Sequence, residues 1–503
     1  TTFNMVNECT NQSGFQYFDN FYHNLVQFNR SKEGCSLIEK FRNKPMILCG
    51  AGPSLNSNVA YLKELSDKAM IMAGGSAMKA LFRNGVTPHF GSGVDPTDKE
   101  YELFRDQYGF EMPIFSIPRL SHLAHSIIHG PSLLLVGRKG EYSMQKWIED
   151  KLGVKTTNSW GGVSVLTFSL SIALQLGANP IIFVGADLAN TGNKKYAQGV
   201  VDKVEVNIEN PRFEGNWWLG GVDKEDIYGK PIHTQWKWVI ESNWISNLAK
   251  NHPEVKFINA TEGGIGFEGV ENLSLKETAK QYLSKNLDVN GLIHQSIALS
   301  PKIDLPSERV FEELGELYAS FDRTSALCED LCDAIKISAF MMGAESDLMP
   351  FDELERMMLE RIEQTEDSPK EQKELLEYLL KIQNMMEEFT TLCQGVLDKI
   401  KGIEKRWENK DGNPIEMQKS LKSELAYKYS LEDLHKMYSA KNYRQKQGLR
   451  SVKNENKDDL FNSLKELQSR IKTIKFDLCE FQELSRNCHL HKVLIEEVVR
   501  HCK

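Results

Sequence analysis

Of the chain's 35 glycines, all but six (Gly315, Gly343, Gly395, Gly402, Gly412 and Gly448) precede residue 303, and so do seven of its eight tryptophans. A glycine-rich stretch can turn often, whereas a glycine-poor one favours long helices. We therefore place a domain boundary near residues 285–305. Before it, short apolar runs alternate with amphipathic stretches: Met46–Cys49, Ala69–Ala73, Pro113–Ser116, Ser132–Val136, Pro180–Val184 and Val255–Ile258. This alternation predicts an α/β fold, a doubly wound parallel sheet over residues 41–290. A helical or extended segment, residues 1–40, precedes it.

Residues 303–503 read as an all-α C-terminal helical bundle. Leu375, Leu379, Ile382, Met386, Phe389, Cys393, Val396, Ile400, Ile403 and Trp407 step by four and three, the seam of a long coiled-coil-like helix. Leu460, Leu464, Leu467, Ile471, Ile474, Leu478 and Phe481 repeat the pattern, and the breakers between Glu408 and Pro414 fold the helices back. Such stripes serve as bundle core, as a docking surface for a protein or as a route to homo-oligomers. No catalytic constellation lies there.

Composition narrows the class. At 503 residues, 41% apolar and 26% charged, the chain can bury a core in each of about two to four domains without staples. A formal charge of −9 removes the basic footprint of a protein that grips nucleic acid by its phosphates. Nine scattered cysteines without a CxxC pair fit a reducing compartment, and a cytoplasmic protein is expected. The group Cys488, His489, His491, His501 and Cys502 lacks zinc-finger spacing. No run approaches the ~18 apolar residues of a membrane span, and the first thirty residues show no signal-peptide pattern. The chain starts at Thr1 without Met, so an upstream segment is expected.

The chemistry begins where the first apolar run ends. Met46–Cys49 leads into Gly50-Ala-Gly-Pro-Ser54 and then into a helical pattern. A strand, a glycine turn and a helix start offer backbone amides to an anion. The acidic residue that a dinucleotide fold carries about 20 positions on is missing, since the second run closes in Ala73-Gly-Gly-Ser76 around Gly75. GxxxxGK[ST] is absent too, which lowers both NAD and P-loop readings. Gly91-Ser-Gly-Val-Asp95 and Ile181–Asp187 bring two carboxylates, Asp95 and Asp187, to strand ends. Gly161–Ser164 opens another helix, and Asn259–Gly264 comes directly after the last run.

Taken in order, Gly50-Ala-Gly-Pro-Ser-Leu55, Gly93–Pro96, Gly161–Ser164, Ile182–Ala189 with Lys195–Gly199, and Asn259–Gly264 resemble the motility-associated factor (Maf) glycosyltransferases over residues 40–280. That family is related to the 6-hydroxymethylpterin diphosphokinases and is similar to the family 42 sialyltransferases of bacteria. The resemblance implies a Rossmann-like catalytic domain that moves a nonulosonic acid, pseudaminic or legionaminic, from its CMP-activated donor to Ser or Thr of flagellin. It implies that Gly50, Gly52 and Ser54 meet the CMP phosphate or ribose; Gly75, in the strand-end cluster, is a further candidate for binding the donor. It further implies that Asp95 meets nucleotide or sugar, and Gly162, Val163 and Ser164 the cytidine side. Ala51 and Ala186 depart from the related patterns, which carry Asn and Gln there.

Transfer of this kind moves negative charge onto a leaving phosphate and needs a base for the acceptor hydroxyl. No metal cofactor is required, and in-line attack inverts the anomeric centre. Residues 190–232, rich in glycine and aromatics, suit a lid. The resemblance implies His233 as base, with Thr234 fitting the pattern as well, Tyr196 and Tyr228 on the leaving group and Asp187 as the competing base. Glu262 and Gly263 are candidates for sugar contacts, with capping an equal reading for Glu262. Two other functions stay open: a pterin diphosphokinase with ATP and Mg²⁺ on Asp95 and Asp187, and a non-catalytic helical interaction module.

Overall fold

The computed structural model describes residues 16–105, 111–136, 151–154, 162–200, 221–341, 351–364, 370, 372–385 and 478–502. The chain divides into two compact units: Thr1–Glu141 with Gly153–Ser307, and Tyr142–Leu152 with Glu308–Lys503.

The first unit is built on strands β1 (Lys32–Glu33), β2 (Met46–Cys49), β3 (Met70–Gly74), β4 (Phe90–Gly93), β5 (Ile114–Ser116), β6 (Ser132–Leu134), β7 (Ile181–Val184), β8 (Gly221–Glu225), β9 (Pro231–Gln235), β10 (Phe257–Asn259) and β11 (Glu271–Asn272). Nine of them form one sheet in the order β1-β6-β5-β4-β3-β2-β7-β10-β11, and each pairing is parallel. β8 and β9 make a separate antiparallel hairpin. Successive strands build outward from β2 through β6, and then the chain returns to lay β7 on the other side of β2. The strand order therefore reverses between β2 and β7, which are in register from Met46 opposite Ile181 to Cys49 opposite Val184.

Strand periodicity sorts the apolar residues onto two faces. Met46, Leu48, Met70, Met72, Ile181 and Phe183 join one core; Ile47, Cys49, Ile71, Ala73, Ile182 and Val184 join the other. Helices α1 (Leu55–Glu64), α2 (Gly75–Arg83), α3 (Asp98–Arg105), α4 (His122–Ser126), α5 (Val165–Gln175), α6 (Trp236–Asn251), α7 (Leu275–Tyr282) and α8 (Val289–Ala298) cover them. α5, α6 and α8 pack on the first face, and α1, α2, α3 and α7 on the second. The fold is thus the Rossmann-like doubly wound sheet that the alternation predicts. Burying each large apolar side chain of β2 contributes about 1.5–3 kcal/mol.

The sheet differs from the expectation at its margins. β1 extends it from within residues 1–40, and Phe21, Tyr22 and Phe28 of that segment are fully buried, so the segment belongs to this unit. Two-residue strands such as β1 and β11 are too short for periodicity to register. In the second unit the described residues are helical at Ser307–Met341, Phe351–Gln364, 372–385 and Leu478–Cys502. Leu375, Leu379 and Ile382 of the first heptad seam are buried; its continuation from Met386, the breaker turn and most of the second seam lie outside the described residues. Helix Ser307–Met341 runs antiparallel to Leu478–Cys502, with Tyr318 Oη donating to Glu496 at 2.7 Å, Lys492 paired to Asp322 at 2.6 Å and His491 stacked on Phe321. No helix among the described residues is long and apolar enough to cross a membrane.

Candidate functional site

In an open parallel sheet, ligands bind beyond the carboxyl ends of the strands where the strand order reverses. Here that point lies between the turns after β2 and β7, and the two turns touch. A Cβ on Gly50 would sit 2.4 Å from the Gly185 carbonyl oxygen, and one on Gly52 would sit 2.0 Å from Asp187 Oδ2. The Gly50 amide donates to the Val184 carbonyl and the Gly52 amide to the Gly185 carbonyl, both at 2.8 Å. The glycine turn thus lets two backbones cross closely, and these amides are already committed within the fold. Helix geometry instead leaves amides without intrahelical partners at the starts of α2 and α5, on the same edge.

Asp187 is the centre of this crossing. It is 1% exposed, and its carboxylate accepts from the Ser54 amide at 3.2 Å, the Ser54 hydroxyl at 2.6 Å and the Thr191 hydroxyl at 2.6 Å. Burial raises its pKa, and the hydrogen bonds from Ser54 and Thr191 oppose that shift. Gly263 packs on the carboxylate, while a Cβ on Gly264, whose φ is +73°, would fall 2.0 Å from the Asp187 carbonyl oxygen.

Beside this knot a cavity of about 230 Å³ opens, lined by residues from the β2, β3 and β7 ends, the first turn of α5, Lys195 and Tyr196, and α6. Ser164 caps α5 in a reciprocal capping box with Thr167, and its hydroxyl donates to Glu241 Oε1. Glu241, on α6, is 6% exposed and lines the cavity together with Trp238, one turn before it. Burial pushes its carboxyl up to about 7, against the opposing pull of Ser164 and of Lys237. Burial also raises the Tyr196 phenol, and the Lys195 ammonium lies 5.5 Å from the Tyr196 ring centre.

Gly50, Gly52, Ser164, Asp187 and Tyr196 therefore meet at one cavity. Ser54 and Gly263 stand behind it, both against Asp187. Gly75 opens α2 with φ +42°, next to the Glu100 carboxylate. Gly162 packs against the Thr167 and Phe168 backbone, and Val163 leads into the cap; Gly161 lies outside the described residues. Asp95 does not line the cavity: its Oδ1 accepts from the amide and hydroxyl of Thr97 at 2.8 and 2.7 Å, closing a turn after β4. Glu262 accepts from the Leu275 amide at 2.9 Å, the first amide of α7, beside its N-cap Ser274.

Tyr228 and His233 sit apart from the cavity lining. Tyr228 is 62% exposed at the tip of the β8–β9 hairpin, and His233 Nδ1 lies 3.1 Å from Asp223 Oδ1 across it. Thr234 is fully buried and donates to the Leu188 carbonyl at 2.5 Å, tying the hairpin to the turn after β7. Of the segment expected as a lid, residues 201–220 lie outside the described residues, and residues 221–232 belong to this regular hairpin. Ser76, in the glycine cluster that closes the second run, also lines the cavity, whereas Trp238 and Glu241 were missed by sequence reasoning; their spacing on a helical stretch was the one signal for them. Among the described residues Asp19, His23 and His122 could together hold a metal ion, and none of them lines the cavity.

Fold and site define a doubly wound α/β domain with a cavity at its switch point. Residues 19–193, which contain β1 to β7, match the family model described as 6-hydroxymethylpterin diphosphokinase MptE-like. A solved structure, that of the MAf glycosyltransferase from Magnetospirillum magneticum AMB-1, is similar at 11% identity and a TM-score of 0.48, over 96% of this chain and 60% of that one. The chain thus spans about 60% of that protein's length. No curated protein matches.

Proposed function

We propose that the chain is a cytoplasmic glycosyltransferase that moves a nonulosonic acid, pseudaminic or legionaminic, from its CMP-activated form to a Ser or Thr hydroxyl, with flagellin as acceptor. The observation that carries this reading is convergence. Three of the motif segments that resemble the Maf enzymes, far apart in the chain, contribute Gly50, Gly52, Ser164, Asp187 and Tyr196 to one cavity at the switch point. A volume of about 230 Å³ is below the ~300 Å³ of a cavity that encloses a whole ligand. It suits the phosphate and its neighbouring ribose, with the rest of the donor in the open mouth.

In this reading the leaving phosphate meets the orphan amides at the starts of α2 and α5, the Tyr196 hydroxyl and the Lys195 ammonium. Asp187 and Ser54 hold the two turns at the spacing the phosphate needs. Tyr228 and His233 join the reacting atoms only through movement of the hairpin. The charge on a single phosphate is within reach of these groups, so the reaction calls for no resident metal. The C-terminal helices present or recognise the acceptor protein.

The test is incubation of the chain with CMP-pseudaminic or CMP-legionaminic acid and flagellin, followed by intact-mass analysis. A mass increment of one nonulosonate on flagellin supports the reading, and no transfer from either donor overturns it. The name of the matching family favours a second reading, diphosphate transfer from ATP with Mg²⁺ to a pterin alcohol. Asp95 and Asp187 would have to serve the metal, yet Asp95 closes a turn with Thr97, and the Asp187 carboxylate already accepts from three donors.

A further inference from the structure

The transfer proposed above has to remove a proton from the acceptor hydroxyl, and the cavity holds few groups that can take it. Its titratable lining residues among those described are Cys49, Asp187, Lys195, Tyr196 and Glu241. Burial holds the Cys49 thiol at about 12 and raises the Tyr196 phenol, so both stay protonated near neutral pH. Lys195 is a cation with donors only. Asp187 is 1% exposed, and its two oxygens already accept three hydrogen bonds from Ser54 and Thr191. His233 and its partner Asp223 lie on the hairpin and do not line the cavity.

Glu241 differs from each of these. It faces the cavity from α6, opposite the β2 and β7 turns, and its Oε1 accepts from the Ser164 hydroxyl. That bond fixes the carboxylate through one oxygen and leaves the other to meet an incoming hydroxyl. Ser164 is itself locked at the head of α5 by its capping box with Thr167. The charged groups around Glu241 are Asp187 and Lys195 across the cavity and Lys237 one turn earlier on α6.

We propose that Glu241 is the general base of the transfer, with Ser164 as its positioning residue. The inference rests on the transferase reading and assigns within it the role that the family resemblance implies for His233. The acceptor oxygen bonds to the anomeric carbon while the bond from that carbon to the phosphate oxygen breaks. The electron pair of the broken bond leaves with CMP, and the hydroxyl proton passes to the Glu241 carboxylate, which later returns it to solvent. A carboxyl whose pKa lies at about 7 is matched to this task at neutral pH.

The experiment compares wild type, Glu241→Gln, Ser164→Ala and His233→Ala in CMP release from a CMP-nonulosonate donor across pH 5.5–9, with CMP affinity measured by calorimetry on the same samples. For wild type, kcat is expected to rise with pH through an ionisation near 7. Glu241→Gln keeps the acceptor for the Ser164 hydroxyl, binds CMP as wild type does, loses about 10²–10⁴-fold in kcat and shows no such ionisation. Ser164→Ala removes the bond that favours the charged carboxylate, so its ionisation moves upward. His233→Ala, whatever its rate, keeps the ionisation near 7, because that ionisation belongs to Glu241.

Wild-type kcat in Glu241→Gln would overturn the assignment of Glu241 while leaving the transferase reading intact. Loss of CMP affinity in step with kcat would also overturn it, making Glu241 structural. Absence of turnover by the wild-type chain, with CMP bound or not, would overturn the transferase reading and the assignment together.

Discussion

Ser54 gives both its amide and its hydroxyl to the carboxylate of Asp187, at 3.2 and 2.6 Å, and so clamps the turn after β2 to the turn after β7. Each hydrogen bond to a buried charged group contributes about 1.5–3 kcal/mol. Ser54→Ala is therefore expected to lower unfolding stability by about 2 kcal/mol, read as a fall in the urea midpoint at constant slope. An unchanged midpoint would show that the clamp holds nothing together.

Two glycines of positive φ after β10 are predicted to be unequal. Gly264 and Gly269 both have positive φ, but a Cβ on Gly264 meets the Asp187 backbone at 2.0 Å, whereas one on Gly269 has no neighbour within 4 Å. Gly269→Ala should cost only the left-handed backbone penalty, about 1–2 kcal/mol. Gly264→Ala adds a backbone clash to that penalty, and its thermal midpoint should fall well below that of Gly269→Ala.

Glu100 provides a pH signature. It is 4% exposed, one of its carboxyl oxygens has no hydrogen-bond partner, and burial together with the charge of Asp95 pushes its pKa up to about 8. Because the folded value lies above the ordinary 4.5, Glu100 contributes stability that is fully present below pH 4.5 and is lost as pH rises to about 8. Glu100→Gln lacks that ionisation. Its stability relative to wild type should grow across this window by on the order of 5 kcal/mol, at about 1.36 kcal/mol per pH unit. Parallel curves for the two proteins in denaturant titrations from pH 4.5 to 8.5 would contradict the burial of this carboxyl.

Two neighbours on the hairpin should separate in the same way. The Thr234 hydroxyl is fully buried on the Leu188 carbonyl, so Thr234→Val is expected to cost about 1–3 kcal/mol. His233 pairs with Asp223, whose side chain is 87% exposed, and surface pairs contribute little. His233→Ala should shift the thermal midpoint by no more than a degree or two. The reverse order would place His233, rather than Thr234, in the packing of the hairpin.

Much of the sheet was legible because fully buried parallel strands read as apolar runs, and Met46–Cys49 and Ile181–Val184 are such runs ending in glycine. The meeting of Gly50, Gly52 and Asp187 was legible from their strand-end positions. The groups those glycines face were not, since the same residue type lets a backbone approach a phosphate or another turn. At Gly52 the neighbour is the Asp187 side chain. Asp95 and Glu262 look like site acids because they come after strands, yet Asp95 closes the Thr97 turn and Glu262 accepts from the first amide of helix α7. Glu241 was hard to read for the opposite reason: an acid on a helix reads as solvated surface, whereas in the fold it is buried and accepts from the Ser164 hydroxyl.

Calorimetric titration of the purified chain with CMP, CDP, UDP, NAD and ATP with Mg²⁺ tests most directly whether the switch-point cavity receives the CMP end of an activated sugar. Ser76→Trp, which puts a large side chain on the cavity lining, serves as the blocking variant. Selective binding of CMP or CDP, abolished in Ser76→Trp, is the predicted result. Preference for ATP with Mg²⁺, or CMP binding that survives Ser76→Trp, would contradict it.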